Sequence, residues 1–336
     1  MKKGFIILFL AISVALSGVI LASPDKTFSE NENRNLKIRA DISKESFQND
    51  VEEFFSDQFP FRENIAVARA KLAVVTGKRD INGAYVGRES LFQKITESEV
   101  DRDACIRYAD KINKLADSIE TYVIYVPSAG AVHKSELPKF AQMYDYHNLL
   151  FELSERLGNA RIVQLGDIEY YRTDHHWTAE GAYSAYISWS EAHSSKPEKF
   201  EYQTVSEDFR GTLYSKALIN IPPDTIKAPV IHEEITVYAD GQEIELYDSS
   251  ALDGKDKYNY FQGGNHGIVT IENKKQKNGK ILLILKDSFA NSFVPYIVGD
   301  YQKIIMLDER YTFVSPKDII DSEKVTELAV IKEIIS

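Results

Sequence analysis

The chain of 336 residues is poor in cysteine and contains only Cys105. A single cysteine excludes an internal disulfide framework. The residues around it repeat at intervals of three and four, in the stripe Cys105, Tyr108, Ile112, Leu115 and Ile119. Because this spacing is helical, we predict a buried structural thiol rather than a reactive one.

Positive charge is also scarce. The sequence has 40 lysines and arginines against 51 aspartates and glutamates, which gives a formal net charge of −11. This surplus of acid works against electrostatic binding to nucleic acid or to an anionic membrane surface. A neutral glycan is easier to reconcile with it, and the 19 tyrosines offer flat faces that can pack on sugar rings.

A long uncharged apolar run occurs at the amino terminus. Lys2 and Lys3 precede residues 4–22, a run long enough to span a membrane. Residues 1–22 are therefore interpreted as a membrane anchor or a signal peptide. We favour the uncleaved anchor, because cutting after Ala22 would place bulky Ile20 where a small residue is preferred. The two lysines would hold the amino end in the cytoplasm, so the body is expected outside, or secreted if the leader is cleaved.

A polar connector and one large domain follow the leader. Residues 23–40 are charged and lack apolar periodicity, which predicts a tether. Residues 41–336 are long enough to bury the core of one α/β domain. Near its start, apolar residues at helical spacing precede Pro60, namely Phe47, Val51, Phe54, Phe55 and Phe59. We interpret this segment as a core-facing helix, with docking on a partner as the alternative.

Five short apolar runs predict the strands of the domain: 122–126, 161–165, 281–285, 304–307 and 328–331. Helical patterns lie between several of them, which favours a mostly parallel sheet flanked by helices on both faces. Residues 200–280 differ, because 235–238 and 243–247 alternate around the turn 239–241 like a hairpin. We therefore predict a β-rich insertion at about 200–280 that could form one wall of a groove.

The chemistry-bearing residues come in the order Asp174, His176 and Ser288. An aspartate two residues before a histidine on an irregular turn can hold one ring nitrogen while the other faces outward. Ser288 follows the apolar run 281–285 and precedes a helix-like segment, so it is predicted on a strand-to-helix turn. Backbone N–H groups at such a turn can hold a developing oxyanion.

Four motifs together resemble the bacterial DHHW protein family. They are Asp-His-His-Trp at 174–177 and the runs at 209–213, 263–267 and 287–289. That family resembles the SGNH-hydrolase-like O-acetyltransferases of alginate biosynthesis, in which an Asp-x-His-Trp motif precedes a Ser-Phe motif. The resemblance implies an SGNH-hydrolase-like (flavodoxin-like) α/β fold. It assigns Asp174 as the acid, His176 as the base and Ser288 as the nucleophile.

Other residues are weaker candidates. Asn265 and His266 lie in a glycine-flanked loop that could approach a ligand, and they are expected to donate to the oxyanion or touch substrate. His175, Arg210 and Tyr85 are candidate substrate contacts, although an extended backbone would point His175 away from His176.

The sequence also allows other roles for these residues. Asp174 could instead cap a helix that begins near Thr178. Ser128, which also follows an apolar run, is a rival nucleophile, and His133 could line the pocket. A metal site is disfavoured, because the sequence lacks a His-x-x-x-His pair or a second acidic motif of the kind that hydrolytic metal sites use.

The function expected from this resemblance is O-acetyl transfer to a cell-envelope or secreted polysaccharide, through an acyl-enzyme. No cofactor is expected. A membrane-bound O-acyltransferase is the implied acetyl donor, and the body would work at the extracytoplasmic face of the bacterial membrane. A carbohydrate acetylesterase and a non-catalytic glycan-binding or assembly protein are the alternatives on the same scaffold.

Overall fold

The computed structural model describes residues 2–29 and 34–336. Its helices alternate with strands through most of the domain. The α-helices are α1 (Lys2–Ala22), α2 (Phe47–Asp57), α3 (Arg62–Val75), α4 (Arg102–Ala116), α5 (Ala129–Val132), α6 (Tyr146–Arg156), α7 (Ala179–Ala192), α8 (Thr212–Ala217), α9 (Phe289–Phe293) and α10 (Pro316–Glu323).

The strands are mostly short. They are β1 (Phe28–Ser29), β2 (Arg34–Asn35), β3 (Asp80–Ile81), β4 (Ala84–Val86), β5 (Leu91–Gln93), β6 (Glu120–Val126), β7 (Arg161–Ile162), β8 (Tyr202–Phe209), β9 (Asp224–Pro229), β10 (Ile235–Ala239), β11 (Gln242–Ile244), β12 (Ile268–Asn273), β13 (Ile281–Lys286), β14 (Lys303–Leu307) and β15 (Glu327–Glu333).

A mixed eight-stranded sheet organises the described residues, in the order β11-β10-β12-β14-β13-β15-β6-β7. The five strands from β14 to β7 are parallel, and they are the five apolar runs that the sequence predicts. From β13 the chain passes through α9 to β14 on one side, and then through α10 to β15 on the other. The carboxyl end of β13 is therefore a point where the strand order reverses, which is where ligands bind in open α/β sheets.

Helices cover both faces of this sheet. Side chains of β13 alternate between two apolar clusters, with Leu282 and Ile284 in one and Leu283 and Leu285 in the other. The first cluster includes residues of α7 and α9, and the second includes residues of α4, α6 and α10. A strand that is apolar on both faces fits this double covering, so the α/β prediction is confirmed.

The region 200–280 is less of an insertion than the sequence suggests. Strands β10 and β12 are antiparallel to their neighbours and extend the main sheet beyond β14. The predicted hairpin is present as β10 and β11, with Asp240 and Gly241 both at positive φ in its turn. Only β8 and β9 form a separate two-stranded sheet within this region.

The amino-terminal segment also differs from a simple tether. The backbone N–H of Lys26 donates to Gln58 at the carboxyl end of α2, and the side chain of Lys37 donates to Asp50 within α2. Leu36 is buried. The part of the predicted tether at residues 30–33 lies outside the described residues. Helix α2 follows the predicted stripe, with Phe54 buried and Phe47 exposed. The predicted thiol Cys105 is buried in α4, and burial raises its pKa.

Candidate active site

The Asp-His-His-Trp motif forms a closed loop ahead of α7. Tyr170 and Trp177 form an antiparallel bridge, and the Tyr171 N–H donates to the carbonyl of His176. Trp177 is fully buried, and its Nε1 donates to Ser292 Oγ at 2.8 Å. Because Ser292 lies in α9, this bond ties the motif to the helix that follows Ser288.

The structure brings the three predicted side chains into one hydrogen-bonded chain. Asp174 Oδ1 lies 2.5 Å from His176 Nδ1, and His176 Nε2 lies 2.7 Å from Ser288 Oγ. Asp174 and His176 are buried, whereas Ser288 is partly exposed. This is the nucleophile, base and acid geometry of a serine triad. Helix α7 is capped by Thr178, which accepts from the Gly181 N–H, so the alternative role of Asp174 as its cap is wrong.

Asp174 is held from its second oxygen by α8. Its Oδ2 accepts hydrogen bonds from the backbone N–H and the hydroxyl of Thr212, at 2.8 and 3.0 Å. Gly211 packs so closely that a Cβ there would lie 2.2 Å from the same oxygen. Burial opposes ionisation of Asp174, but the charges of His175 and His176 and the hydrogen bonds outweigh it and lower its pKa.

Tyr258 completes the environment of His176. Its ring stacks on the imidazole with centroids 3.8 Å apart and planes 10° from parallel. Its hydroxyl donates to the carbonyl of Ser288 at 3.1 Å and lies 2.9 Å from Ser292 Oγ. Sequence reasoning missed Tyr258, because it sits on a 3₁₀ turn at Lys257–Tyr260 with no motif around it.

Ser288 lies on the predicted strand-to-helix turn, between β13 and α9. Fewer backbone N–H groups are free at this turn than the sequence suggests. The N–H of Phe289 donates to Asp287 Oδ1. The N–H groups of Ala290 and Asn291 donate to the carbonyls of Asp287 and Ser288, respectively. Within the described residues the N–H of Ser288 itself makes no hydrogen bond, so it is available to an oxyanion.

The two charges that precede Ser288 are bound elsewhere. Lys286 is buried with its Nζ 2.8 Å from Asn291 Oδ1 and 3.7 Å from Asp308 Oδ2. Burial lowers the pKa of Lys286 to about 8, against the opposing charge of Asp308. Asp287 Oδ2 accepts from the N–H of Glu333 at the end of β15. Both residues thus brace the strand ends beneath the nucleophile.

His175 lies beside the triad rather than pointing elsewhere. Its ring is 3.9 Å from that of His176, and its Nδ1 lies 2.9 Å from Thr212 Oγ1. Burial, with the charge of His176, lowers the pKa of His175 to about 4. His175 is therefore a neutral neighbour at ordinary pH, and its partial exposure is consistent with a contact to substrate.

Asp174, His175 and His176 could also be considered as metal ligands, since their donor atoms lie within 4.8 Å of one another. Both nitrogens of His176 already face hydrogen-bond partners. The carboxylate of Asp174 is likewise engaged through both oxygens. The donor arrangement fits a triad better than a metal centre.

The other candidates do not contact the triad. The imidazole of His266 lies 2.9 Å from the carbonyl of Gln262 in its own loop, and Asn265 is exposed. The loop does approach α9, because the Asn291 side chain donates to the Gly264 carbonyl. Its two glycines at positive φ turn the chain back on itself, which directs His266 towards Asp240 instead.

Arg210 and Tyr85 have structural partners. Arg210 donates to the carbonyl of Ile221 at 2.6 Å, and its guanidinium lies over the ring of Tyr214. The buried Tyr85 exchanges hydrogen bonds with the backbone of Gln142.

The rival nucleophile is also engaged elsewhere. Ser128 Oγ lies 3.4 Å from the hydroxyl of Tyr144, which is its side-chain hydrogen-bond partner. His133 lines a separate cavity of about 370 Å³ with Tyr170 and Glu169.

The family model described as DHHW protein matches residues 154–307, which contain Asp174, His176 and Ser288. This part of the chain therefore resembles the DHHW family. The resemblance predicted from the sequence is thereby confirmed. No curated protein matches the chain.

Solved structures are similar to this chain. A DHHW family protein from Eubacterium siraeum matches with a TM-score of 0.64 and 23% identity, over 75% of this chain and 91% of the other. Bacillus cereus PatB1 with a sulfonyl adduct matches with a TM-score of 0.62 and 18% identity, over 75% and 94%. The O-acetyltransferase domain of Pseudomonas putida AlgJ matches with a TM-score of 0.45 and 13% identity, over 75% and 91%.

Proposed function

We propose that this DHHW chain is an extracytoplasmic serine acyltransferase with an SGNH-hydrolase-like fold that moves acetyl groups onto a polysaccharide hydroxyl. The observation that carries the proposal is the hydrogen-bonded chain from Asp174 through His176 to Ser288. Two separate segments of the fold supply it: the loop ahead of α7 carries Asp174 and His176, and the turn between β13 and α9 carries Ser288. A nucleophile beside an oriented base is the arrangement that covalent acyl transfer needs.

The first half of the reaction follows from this geometry. Ser288 Oγ attacks the carbonyl carbon of the acetyl donor, and its proton passes to His176 Nε2. The negative charge that develops on the carbonyl oxygen is stabilised by the N–H of Ser288. The leaving oxygen takes the proton from Nε2 as its bond to the acetyl carbon breaks, which leaves an ester on Ser288.

The second half repeats these steps with a new nucleophile. A sugar hydroxyl gives its proton to Nε2 and attacks the ester carbon, and Ser288 recovers the proton as it leaves. Asp174 stabilises the charged imidazole in both halves and holds its ring in place. Water in place of the sugar would give hydrolysis, so the acceptor decides between transferase and esterase.

The family resemblance supplies the substrate class and the donor. It favours a cell-envelope or secreted polysaccharide as acceptor and a membrane-bound O-acyltransferase as the acetyl source. The apolar helix α1 is long enough to cross a membrane and would keep the domain near such a partner. The sulfonyl adduct of the similar PatB1 suggests a reagent for this site, because sulfonyl fluorides attach to activated serines.

The test is to treat the protein with a sulfonyl fluoride or an activated acetyl ester and to measure intact mass. The parent should gain one adduct, and Ser288→Ala should gain none while keeping its fold, because a partly exposed hydroxyl carries little stability. Ser128→Ala, which removes the rival serine, should label like the parent. Equal labelling of the parent and Ser288→Ala would refute the assignment.

A second comparison separates transfer from hydrolysis and from binding alone. Asp174→Asn should lower the rate of acetyl release about 10⁴-fold if the triad follows the serine-protease template. Added oligosaccharides should divert acetyl from water in a transferase and leave its fate unchanged in an esterase. A folded parent that accepts no acetyl from any donor but binds glycan would indicate the non-catalytic alternative.

A further inference from the structure

Helix α3 carries apolar side chains on two different faces. Its inner face, around Ala70, packs with Leu213 and Ala217 of α8 in one of the buried clusters. Its outer face leaves four large apolar residues in solvent: Phe61, Ile65, Leu72 and Val75, which are 77%, 51%, 64% and 83% exposed. A surface helix of a soluble protein has one apolar face, which packs on the core. A second, exposed apolar face indicates an interaction surface.

The exposed residues form a continuous stripe. Together with the exposed Ala68, they are spaced by four, three, four and three positions, which keeps them on one side of the helix. We call Phe61, Ile65, Ala68, Leu72 and Val75 the outer stripe. It runs the length of α3, and none of its members belongs to a described buried cluster.

Cations flank the outer stripe on both sides. At 100° per residue, Arg69 lies to one side of Leu72 and Lys71 to the other. Among the described residues, Arg69, Lys71 and Lys78 form no ion pair. Residues 62–79 contain five cations and one acid, a local charge of +4 within a chain of −11. The net charge that disfavours an anionic surface for the whole chain therefore does not describe this helix.

A cavity continues the positive flank. It has a volume of about 430 Å³ and lies between α3 and α8. Four cations line it, Arg62, Arg69, Lys78 and Lys216, and the described lining includes no carboxylate. A cavity of this charge suits a phosphate group, and it borders the apolar stripe that would meet acyl chains.

We propose that α3 lies in the surface of a membrane that contains anionic phospholipid, with the outer stripe towards the acyl chains and the flanking cations at the lipid phosphates. Apolar residues in the centre and cations at the edges are the pattern of interfacial helices. Helix α1, which is long and apolar enough to span a bilayer, would hold α3 near that surface. Pairing of α3 with a second copy is less suitable, because it would bring positive flanks together.

The test uses the full-length chain in vesicles of phosphatidylcholine, with or without phosphatidylglycerol. A nitroxide is placed at Leu72→Cys in a Cys105→Ser background, and its collision rates with oxygen and with a water-soluble nickel chelate are measured. Phe151→Cys on α6 is the matched control, since Phe151 is 66% exposed and Leu72 is 64% exposed. Both labels replace exposed side chains, so the fold should be unaffected.

With phosphatidylglycerol present, the label at Leu72 should collide several-fold less with nickel and more with oxygen than the label at Phe151. Adding Arg69→Glu and Lys78→Glu should raise the nickel collision rate at Leu72. Equal nickel accessibility at Leu72 and Phe151 would overturn the proposal. So would spin–spin broadening at Leu72 that disappears when labelled protein is diluted with unlabelled chain, because it would show a second copy on the stripe. The measurement does not use Ser288, so its outcome is independent of the acyl-transfer proposal.

Discussion

At the scale of single residues, the position of the Asp174 carboxylate in the triad is fixed by its neighbours. Asp174 has four hydrogen bonds to its carboxylate, two from His176 and two from Thr212. Its remaining side is closed by Gly211, whose φ of −82° is ordinary for any residue. The glycine is required here by space and not by backbone conformation, because a side chain would occupy the position of the carboxylate.

Gly211→Ala is therefore expected to remove most acyl transfer. The added Cβ would lie within 2.5 Å of three atoms of Asp174, so the carboxylate must move away from His176. We expect a loss of stability of about 1–3 kcal/mol, typical of overpacking, and a fall in kcat approaching that of Asp174→Asn. Urea unfolding and steady-state kinetics measure the two effects. Gly158→Ala is the control, since a Cβ there meets nothing within 4 Å; full activity in Gly211→Ala would contradict the assigned role of the glycine.

Tyr258 is expected to position His176 through its ring more than through its hydroxyl. Tyr258→Phe keeps the stacked ring and loses two hydrogen bonds, so a modest fall in kcat and a stability loss of about 1 kcal/mol are expected. Tyr258→Leu removes the stacking surface and should lower kcat much further, with a changed pH profile because the imidazole environment changes. Similar kcat values and pH profiles in the two variants would show that the ring does not orient His176.

At the scale of elements, the strand ends could be predicted and their supports could not. The apolar runs at 281–285 and 328–331 mark parallel strands, and Ser288 falls at the end of the central one. Asp174 and His176 lie two residues apart on one loop, so their mutual contact also follows from local sequence. Thr212 begins the short helix α8 and Tyr258 lies on a 3₁₀ turn, about forty and eighty residues further along, where no periodicity indicates what they will face.

The glycine-flanked loop shows that a clear sequence signal can also mislead. The run at 263–267 resembles a ligand loop in sequence, yet its positive-φ glycines fold it onto Gln262 and Asn291 behind the nucleophile. Similarly, the local charges at Lys286 and Asp287 become strand supports because β14 and β15 bring partners to them. Which way a polar side chain turns at a strand end depends on neighbouring strands, which are distant in sequence.

Lys286 should make stability rise with pH in the alkaline range. Its folded-state pKa of about 8 lies below its ordinary value of 10.5, so the unfolded chain binds more protons between these values. The cost of keeping the buried lysine charged, about 3 kcal/mol from the shift, is present at pH 7 and is relieved as pH rises through 8 towards 10.5. Urea unfolding at several pH values should show that the free energy of unfolding of wild type rises relative to that of Lys286→Met across this range. Lys71→Met replaces an exposed lysine, so its free energy of unfolding should change with pH as that of wild type does. Parallel pH profiles of stability for wild type and Lys286→Met would contradict the lowered pKa of Lys286.

At the scale of the whole molecule, α8 links the triad to α3, the helix proposed to lie in a membrane surface. Helix α8 begins at Thr212, which holds Asp174, and ends near Lys216, which lines the cationic cavity beside α3. Its apolar side packs against α3 in the same cluster. A domain attached through α3 would thus keep its triad at a fixed distance from the bilayer, which suits a donor that is itself in the membrane.

Helix α1 would give the domain a second attachment to the bilayer if it remains on the protein. Only 6% of its apolar span is buried, so the domain does not use α1 as a core helix, and its length and composition would allow it to cross a bilayer. Arg39 donates to the carbonyls of Ile20 and Ser23, which fastens the end of α1 to the segment that packs on α2. Ile20 is itself buried there, so the folded domain contacts the end of α1.

We therefore expect the protein to be a stably inserted membrane protein in cells. Alkaline carbonate washing of membranes should leave the full chain in the pellet, and its intact mass should include residues 2–22. A chain that begins at Ser23 should be released by the same wash at high salt and pH, because screening weakens the contact of α3 with lipid. Recovery of the natural protein with its amino terminus at Ser23 would show a cleaved signal peptide, and the fixed distance between triad and bilayer would then depend on α3 alone.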